Sequence, residues 1–294
     1  MTINDLLQTF VECKPITKGW SVDQKYCVAK ADGEKYLLRI SDVKKHEKQK
    51  MLFEMMQKVA ALGVPMCMPV EFDVCIDGVY LLQSWIEGED LEVVLPRLSS
   101  AEQYSLGVKA GDSLRKIHTI PAPDTQEALH IRYNRYIDAK IQKYRECGRR
   151  FEGDEKVIVY IEQNRYLLKS RPQTYQHGDY QVGNMMVENG KLKIIDFSYG
   201  FGDPWEEFEA IRWCVDRSPH FASGMVNGYF SGEVPGEFWE VLLFYFCVGM
   251  FHNILWGIEH GEGQVEEALR HICEIFEWTD GLRNPVPIWY EVMG

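Results

Sequence analysis

The feature that most limits what this chain can fold into is a short hairpin set inside helical sequence. Residues 184 to 197 read as two strands turning at Asn189-Gly190, while the segments on either side carry a helical period. Before residue 84 the texture is different. Pro15 to Ile40 reads as successive antiparallel strands with a turn at Ala31-Asp32-Gly33-Glu34. His46 to Leu62 has apolar residues at Leu52, Met55, Met56, Val59 and Ala60, an amphipathic helix stopped by Gly63 and Pro65. Two more strands, 68–74 and 79–83, turn at Asp77-Gly78. After Gly88 the helical segments Ser99 to His118, Ile131 to Cys147 and Lys156 to Leu168 follow, and the chain from Trp205 on is again mostly helical. The expectation is an α+β, bilobal chain: an N-terminal antiparallel sheet with one main helix (1–83), a hinge (84–88) and a larger, mostly helical C-terminal lobe (89–294). A cleft at the hinge is the natural place for a ligand.

Composition narrows the function. Of 294 residues, 46% are hydrophobic and 26% charged, the balance of a chain that folds throughout. The net charge of -12 argues against phosphate-backbone binding, so no nucleic-acid partner is expected and a neutral or cationic small molecule fits better. The 8 cysteines are scattered without a Cys-x-x-Cys pair and read as reduced thiols. Met1 to Phe10 lacks a basic segment followed by an apolar core, and the apolar run Val241 to Phe251 is too short to span a bilayer. A cytoplasmic protein without a membrane partner is expected.

The chemistry lies in Gln176-His177-Gly178-Asp179-Tyr180-Gln181-Val182-Gly183-Asn184 and the following Lys193-Ile194-Ile195-Asp196-Phe197. Asp179 falls on a loop, Asn184 at the entrance to a strand and Asp196 at the end of its partner, so the hairpin brings three oxygen-bearing side chains together. Phosphoryl transfer needs an aligned hydroxyl, a divalent ion on the phosphates and an acceptor for the hydroxyl proton. Asn184 and Asp196 supply hard oxygen ligands suited to Mg²⁺. Asp179 is left to orient the hydroxyl as base. This is the kinase order of catalytic Asp, Asn after a four-residue gap and metal-binding Asp before Phe, with Gly178 in place of the Arg of protein kinases.

With His177-Gly178-Asp179, Ile194-Ile195-Asp196-Phe197 and Gly202-Asp203-Pro204-Trp205, the chain resembles the aminoglycoside phosphotransferase family and its choline-kinase-like and homoserine-kinase-like relatives, which share a protein-kinase-like fold. The resemblance implies ATP or GTP as phosphate donor. It puts Arg39 where lysine is usual on the third strand, with Glu54 as the helix acid paired to it; Arg can clamp phosphate oxygens through two donors. Lys35 reads as a solvated strand end. Ser21, in the loop after the first strand, is a candidate phosphate cover. Leu81 to Gly88 resembles the family's adenine-binding connector, with backbone groups of Ser84 and Ile86 at the base edge and Gln83 behind it. His177 is expected to brace its loop by hydrogen bonding, and Asp203 to fix a loop or face the substrate.

The acceptor stays open between an aminoglycoside-like amino sugar or related hydroxylated metabolite and choline, homoserine or a thioribose-type sugar. Antibiotic resistance is a role that the resemblance carries with it and that a fold alone does not assign. Asp203, Glu206, Glu207, Glu259 and Glu262 are candidate amine-recognising acids, and Tyr180, Trp205, Trp213 and Trp256 a candidate aromatic wall. Two readings from other classes remain: a catalytically silent nucleotide-binding regulator, and a metal-dependent hydrolase using His177, Asp179 and Asp196.

Overall fold

The computed structural model describes residues 1–19 and 21–291; Trp20, read above as part of the first loop, lies outside the described residues. The chain divides into two compact units. One holds Met1–Val94, His177–Asp179 and Gly183–Tyr199; the other holds Leu95–Gln176, Tyr180–Val182 and the chain from Gly200 on.

In the first unit a short helix, α1 (Ile3–Leu7), precedes β1 (Glu12–Ile16), β2 (Gln24–Ala29) and β3 (Lys35–Ser41). Helix α2 (His46–Ala61) follows, then β4 (Pro69–Cys75) and β5 (Gly78–Ser84). The strands form one antiparallel sheet in the order β1-β2-β3-β5-β4. Alternation sorts its faces. Val28, Leu38, Ile40, Tyr80 and Leu82 pack with Leu6 of α1 into an apolar layer. Lys25, Leu37, Arg39, Leu81 and Gln83 share the other parity and the other face. Helix α2 packs on β4 and β5 and buries Gln49, Leu52, Met55, Met56 and Val59; each full apolar side chain contributes about 2 kcal/mol. It stops where expected, with Gly63 left-handed at φ 72°.

The hairpin belongs to this same unit. Its strands are β6 (Met185–Glu188) and β7 (Lys191–Ile194), and the turn residues Asn189 and Gly190 have φ of 50° and 73°, the geometry that an Asn-Gly turn favours. The short helix α3 (Leu91–Val94) ends the unit's first stretch of chain. Just before it, Glu89 and Asp90 pair with Val187 and Met186. Ile194 is bonded on both sides to the segment ahead of β4: its N–H donates to Pro65 O at 2.9 Å and its carbonyl accepts from Cys67 N at 3.1 Å. The sequence division at 84–88 put the hairpin with the helical lobe, whereas these backbone bonds tie it to the sheet unit.

The second unit contains α4 (Ser100–Ile117), α5 (Leu129–Glu146), α6 (Asp154–Asn164), α7 (Ile211–Arg217), α8 (Pro219–Phe230), α9 (Gly236–His260) and α10 (Glu262–Trp278). Local chemistry sets several starts. Ser99 and Glu102 cap α4 reciprocally, and α8 begins with Ser218 as cap followed by Pro219. Helices α4 and α8 meet glycine against backbone: an added Cβ would lie 2.1 Å from Phe221 O at Gly107, 2.0 Å from Met225 O at Gly111 and 2.2 Å from Val108 O at Gly228. Helix α9 is long and apolar enough to cross a membrane, and the run Val241 to Phe251 is only its middle. Here it is a core helix, with α5, α6 and α10 packed on it and most of its residues buried.

Candidate active site

The loop His177-Gly178-Asp179 is held by bonds that its own residues make. Buried His177 sets its Nε2 on the Ile195 carbonyl at 2.9 Å and its Nδ1 opposite the Asp179 N–H at 3.3 Å. The ring thus joins the Asp179 loop to the residue before Asp196, with the Phe197 ring 4.6 Å away. Ser198 donates both its N–H and its hydroxyl to the His177 carbonyl, each at 2.9 Å. Gly178 has φ 94°, and a Cβ there would stand 1.8 Å from Ser198 Oγ. That close approach gives a physical reason for glycine rather than arginine at this position.

Asn184 comes from a single 3₁₀ turn, 182–184, just ahead of β6. Its Nδ2 donates to the Asp179 carbonyl at 2.9 Å and to Asp179 Oδ2 at 2.7 Å. With the amide nitrogen committed to Asp179, the oxygen is the atom that Asn184 has to offer a cation. Asp196 does not end the strand as expected: β7 stops at Ile194, and Asp196 stands two residues beyond it in a left-handed conformation, φ 60°. A non-glycine residue held there is a strained position of the kind found at functional sites.

Asn184 and Asp196 line a cavity of about 250 Å³ together with Arg39, Ser84 and Ile86. Ile16, Leu37, Met186 and Ile195 supply an apolar lining, and Lys18 and Lys25 add positive charge. Arg39 Nη2 donates to Asp196 Oδ1 at 2.8 Å. Lys18 is paired with Asp90 at 2.6 Å, and Lys25 Nζ donates to the Lys18 carbonyl at 2.9 Å. Ser84 spends its N–H on Met68 O and accepts the Met68 N–H with its hydroxyl, both at 2.8 Å, so its side chain is committed to the fold.

Other expected residues stand elsewhere. Glu54 is on the exposed face of α2, while the carboxylates beside Arg39 are Asp196 and Asp23, so the pairing of Glu54 with Arg39 is not what the structure brings together. Gln83 is buried with its Nε2 3.5 Å from Met56 Sδ, turned to α2 and not among the cavity residues. Ser21 is exposed and its hydroxyl accepts the Asp23 N–H at 3.1 Å, a local turn contact. Cys67 lines the cavity as an unreactive thiol, pushed up to about 12 by burial.

The phosphotransferase enzyme family model matches residues 12–239. The chain belongs to that family. It is therefore a phosphotransferase acting on a hydroxyl acceptor. Among solved structures, the gentamicin complex of APH(2'')-IIa superposes with a TM-score of 0.67 at 15% identity, covering 92% of this chain and 94% of that one. A putative fructosamine-3-kinase from Haemophilus somnus 129PT gives 0.66 at 12% identity, covering 93% and 96%. A choline/ethanolamine kinase family protein from Mesorhizobium loti gives 0.66 at 15% identity, covering 97% and 98%. Their likeness is one of fold. None of the curated proteins matches the sequence significantly.

Two residues beside Arg39 were missed in the sequence. Lys25 lies directly across from Arg39 in the β2–β3 register, and like charges placed so repel unless an anion joins them. The turn at residues 30–34 fixes that register, so counting back from Gly33 would have found it. Asp23 is nearly enclosed, with Lys45 Nζ 2.6 Å from Oδ1 and Arg39 Nε 3.7 Å from Oδ2. Burial pushes its carboxyl up, but Lys45 and Arg39 outweigh that and hold it below its ordinary value.

In the helical unit Asp203 is wholly buried and fixes its loop. Arg171 donates to both of its oxygens at 2.7 and 2.8 Å, Tyr245 donates at 2.8 Å and the Trp205 N–H at 2.9 Å. Trp205 carries the Arg171 guanidinium 3.7 Å over its ring. Glu207 is buried against His118 at 3.0 Å, Glu262 pairs with Arg149, and Tyr180 is a core residue donating to Ala110 O. Glu206 and Glu209 are half-buried on the same turn. Burial, then the charge of Asp203, pushes the Glu206 carboxyl up to about 8. Burial acts on Glu209 too, but Arg212 holds it below its ordinary value.

Proposed function

We propose that this phosphotransferase is a cytoplasmic small-molecule kinase that moves the γ-phosphate of ATP or GTP onto a hydroxyl of an aminoglycoside-like amino sugar or related hydroxylated metabolite. The observation that carries the reading is that Asn184, bonded to Asp179, lines one cavity with Asp196 and Arg39. In this reading Asp179 accepts the hydroxyl proton and Asn184 keeps its carboxylate in place. Asp196 and the Asn184 oxygen would hold Mg²⁺, which supplies charge neutralisation on the phosphates when bound. Arg39 and Lys25 take phosphate oxygens, which removes the repulsion between two cations facing each other across β2 and β3. The Ser84 carbonyl and the Ile86 N–H meet the base edge, and the apolar lining takes its faces. Gln83, turned to α2, has no direct part.

For the acceptor, Glu206 favours an amine-bearing molecule, because its carboxyl is pushed up by burial and a cation beside it would stabilise the charged form. Choline, homoserine and thioribose-type acceptors remain the rivals within this chemistry. A silent regulator is disfavoured because it has no use for a carboxylate aligned by Asn184. The deciding experiment is Mg²⁺-dependent consumption of ATP and GTP by the pure protein, with and without aminoglycosides, choline, homoserine and sugar acceptors. Acceptor-stimulated turnover is expected with one class; nucleotide binding without turnover over the whole panel would shift the reading to the regulator.

A further inference from the structure

We propose that Asp23, from the loop before β2, is the positioning residue that orients Arg39 toward the nucleotide phosphates, a role no acid of α2 fills; this rests on the kinase reading above.

The buried residues of α2 are Gln49, Leu52, Met55, Met56 and Val59, so the only polar group it sends inward is an uncharged amide, and that amide donates to Ser41 at 3.0 Å. Glu47 and Glu54 are both exposed. Arg39, by contrast, is 11% exposed, and a guanidinium so enclosed requires a carboxylate nearby. Asp23 meets that need at 7% exposure, held by Lys45 on one oxygen and facing Arg39 Nε with the other.

At 3.7 Å the contact from Arg39 Nε to Asp23 is an ion pair too long for a hydrogen bond, and Nε is a buried donor without a partner. The guanidinium is instead drawn to Asp196 at 2.8 Å. Arg39 thus stands between two acids, one enclosed and one exposed. Asp196 is the acid proposed to hold the metal ion. Once that carboxylate is engaged elsewhere, Asp23 is the acid left to Arg39, and closing the gap at Nε relieves the orphaned donor while leaving the two Nη groups to phosphate oxygens.

The test is a double-mutant cycle of Asp23→Asn and Arg39→Met, read by calorimetric nucleotide affinity with and without Mg²⁺, nucleotide KM, acceptor KM and thermal melting. Asp23→Asn should raise nucleotide KM about 10-fold or more while acceptor KM holds, and should add little in the Arg39→Met background. Glu54→Gln should cause no such rise. If Asp23→Asn does not fold, Arg39→Lys with Asp23→Glu decides. The longer acid should restore several-fold of the affinity that the shorter base loses, and no restoration would overturn the proposal. Losses that multiply independently in the cycle, or a Glu54→Gln effect equal to that of Asp23→Asn, would also overturn it while the wild type still turns over. A wild type that neither binds nor consumes nucleotide would remove the kinase reading and this proposal together.

Discussion

The His177–Asp179 loop and the α4–α8 seam both depend on a side chain that is absent, yet they use it differently. At Gly111 a Cβ would strike the Met225 carbonyl at 2.0 Å, a backbone atom fixed in a helix. At Gly178 it would strike Ser198 Oγ at 1.8 Å, the end of a side chain that can rotate. In the seam, glycine lets two helices approach; in the loop, it lets the segment after β7 lie on the His177–Asp179 loop through Ser198. Replacing the first should therefore be felt in stability, and replacing the second in activity.

The largest effect expected is at Asp196. Asp196→Ala should abolish Mg²⁺-dependent nucleotide binding along with turnover, measured by calorimetry, because Arg39 and the proposed metal ion both lose their exposed acid; binding that survives intact would put the metal elsewhere. Next is the seam. Gly111→Ala should lower unfolding free energy by about 3 kcal/mol or more in denaturant titration, since neither backbone can yield. Gly178→Ala should cost less, about 2 kcal/mol, from its φ of 94° and the displaced Ser198 hydroxyl, but should cut kcat about 100-fold. Equal stability losses with unchanged kcat would break the contrast. Asp203→Asn, which strands Arg171, belongs with the seam: a loss of about 3 kcal/mol in unfolding free energy is expected.

The smallest effect concerns pH. The Glu206 carboxyl, near 8 when folded against an ordinary 4.5, binds its proton more tightly in the folded chain. Its contribution to stability is full below the unfolded value and is lost as pH rises through the folded one. Melting temperatures taken from about pH 5 to 8 should fall less steeply in Glu206→Gln; an unchanged slope would mean that this carboxyl ionises as in water.

Much of this was legible because the signals are local. The Asn189-Gly190 turn, the helix from Ser99 and the spacing from Asp179 to Asp196 each sit within a short stretch of chain. What failed depended on facing. Glu54 lies two residues from both Leu52 and Met56, and positions two apart on a helix do not share a face; Gln49, at three and seven residues from the same pair, does. Gln83 shares the parity of Leu81 and so goes to α2. The Gly107/Gly111 and Gly224/Gly228 spacings stand in plain view, but their pairing joins segments more than a hundred residues apart, and no local pattern announces it.

In the kinase reading, Asp179 acts on the hydroxyl and not on the nucleotide. That assignment is tested most directly by Asp179→Asn, with ATP affinity measured in Mg²⁺ beside kcat for the acceptor that stimulates the wild type. Affinity within about threefold of wild type and kcat lower by about 100-fold or more are expected. Turnover that persists at wild-type rate, or affinity and kcat lost in equal measure, would contradict it.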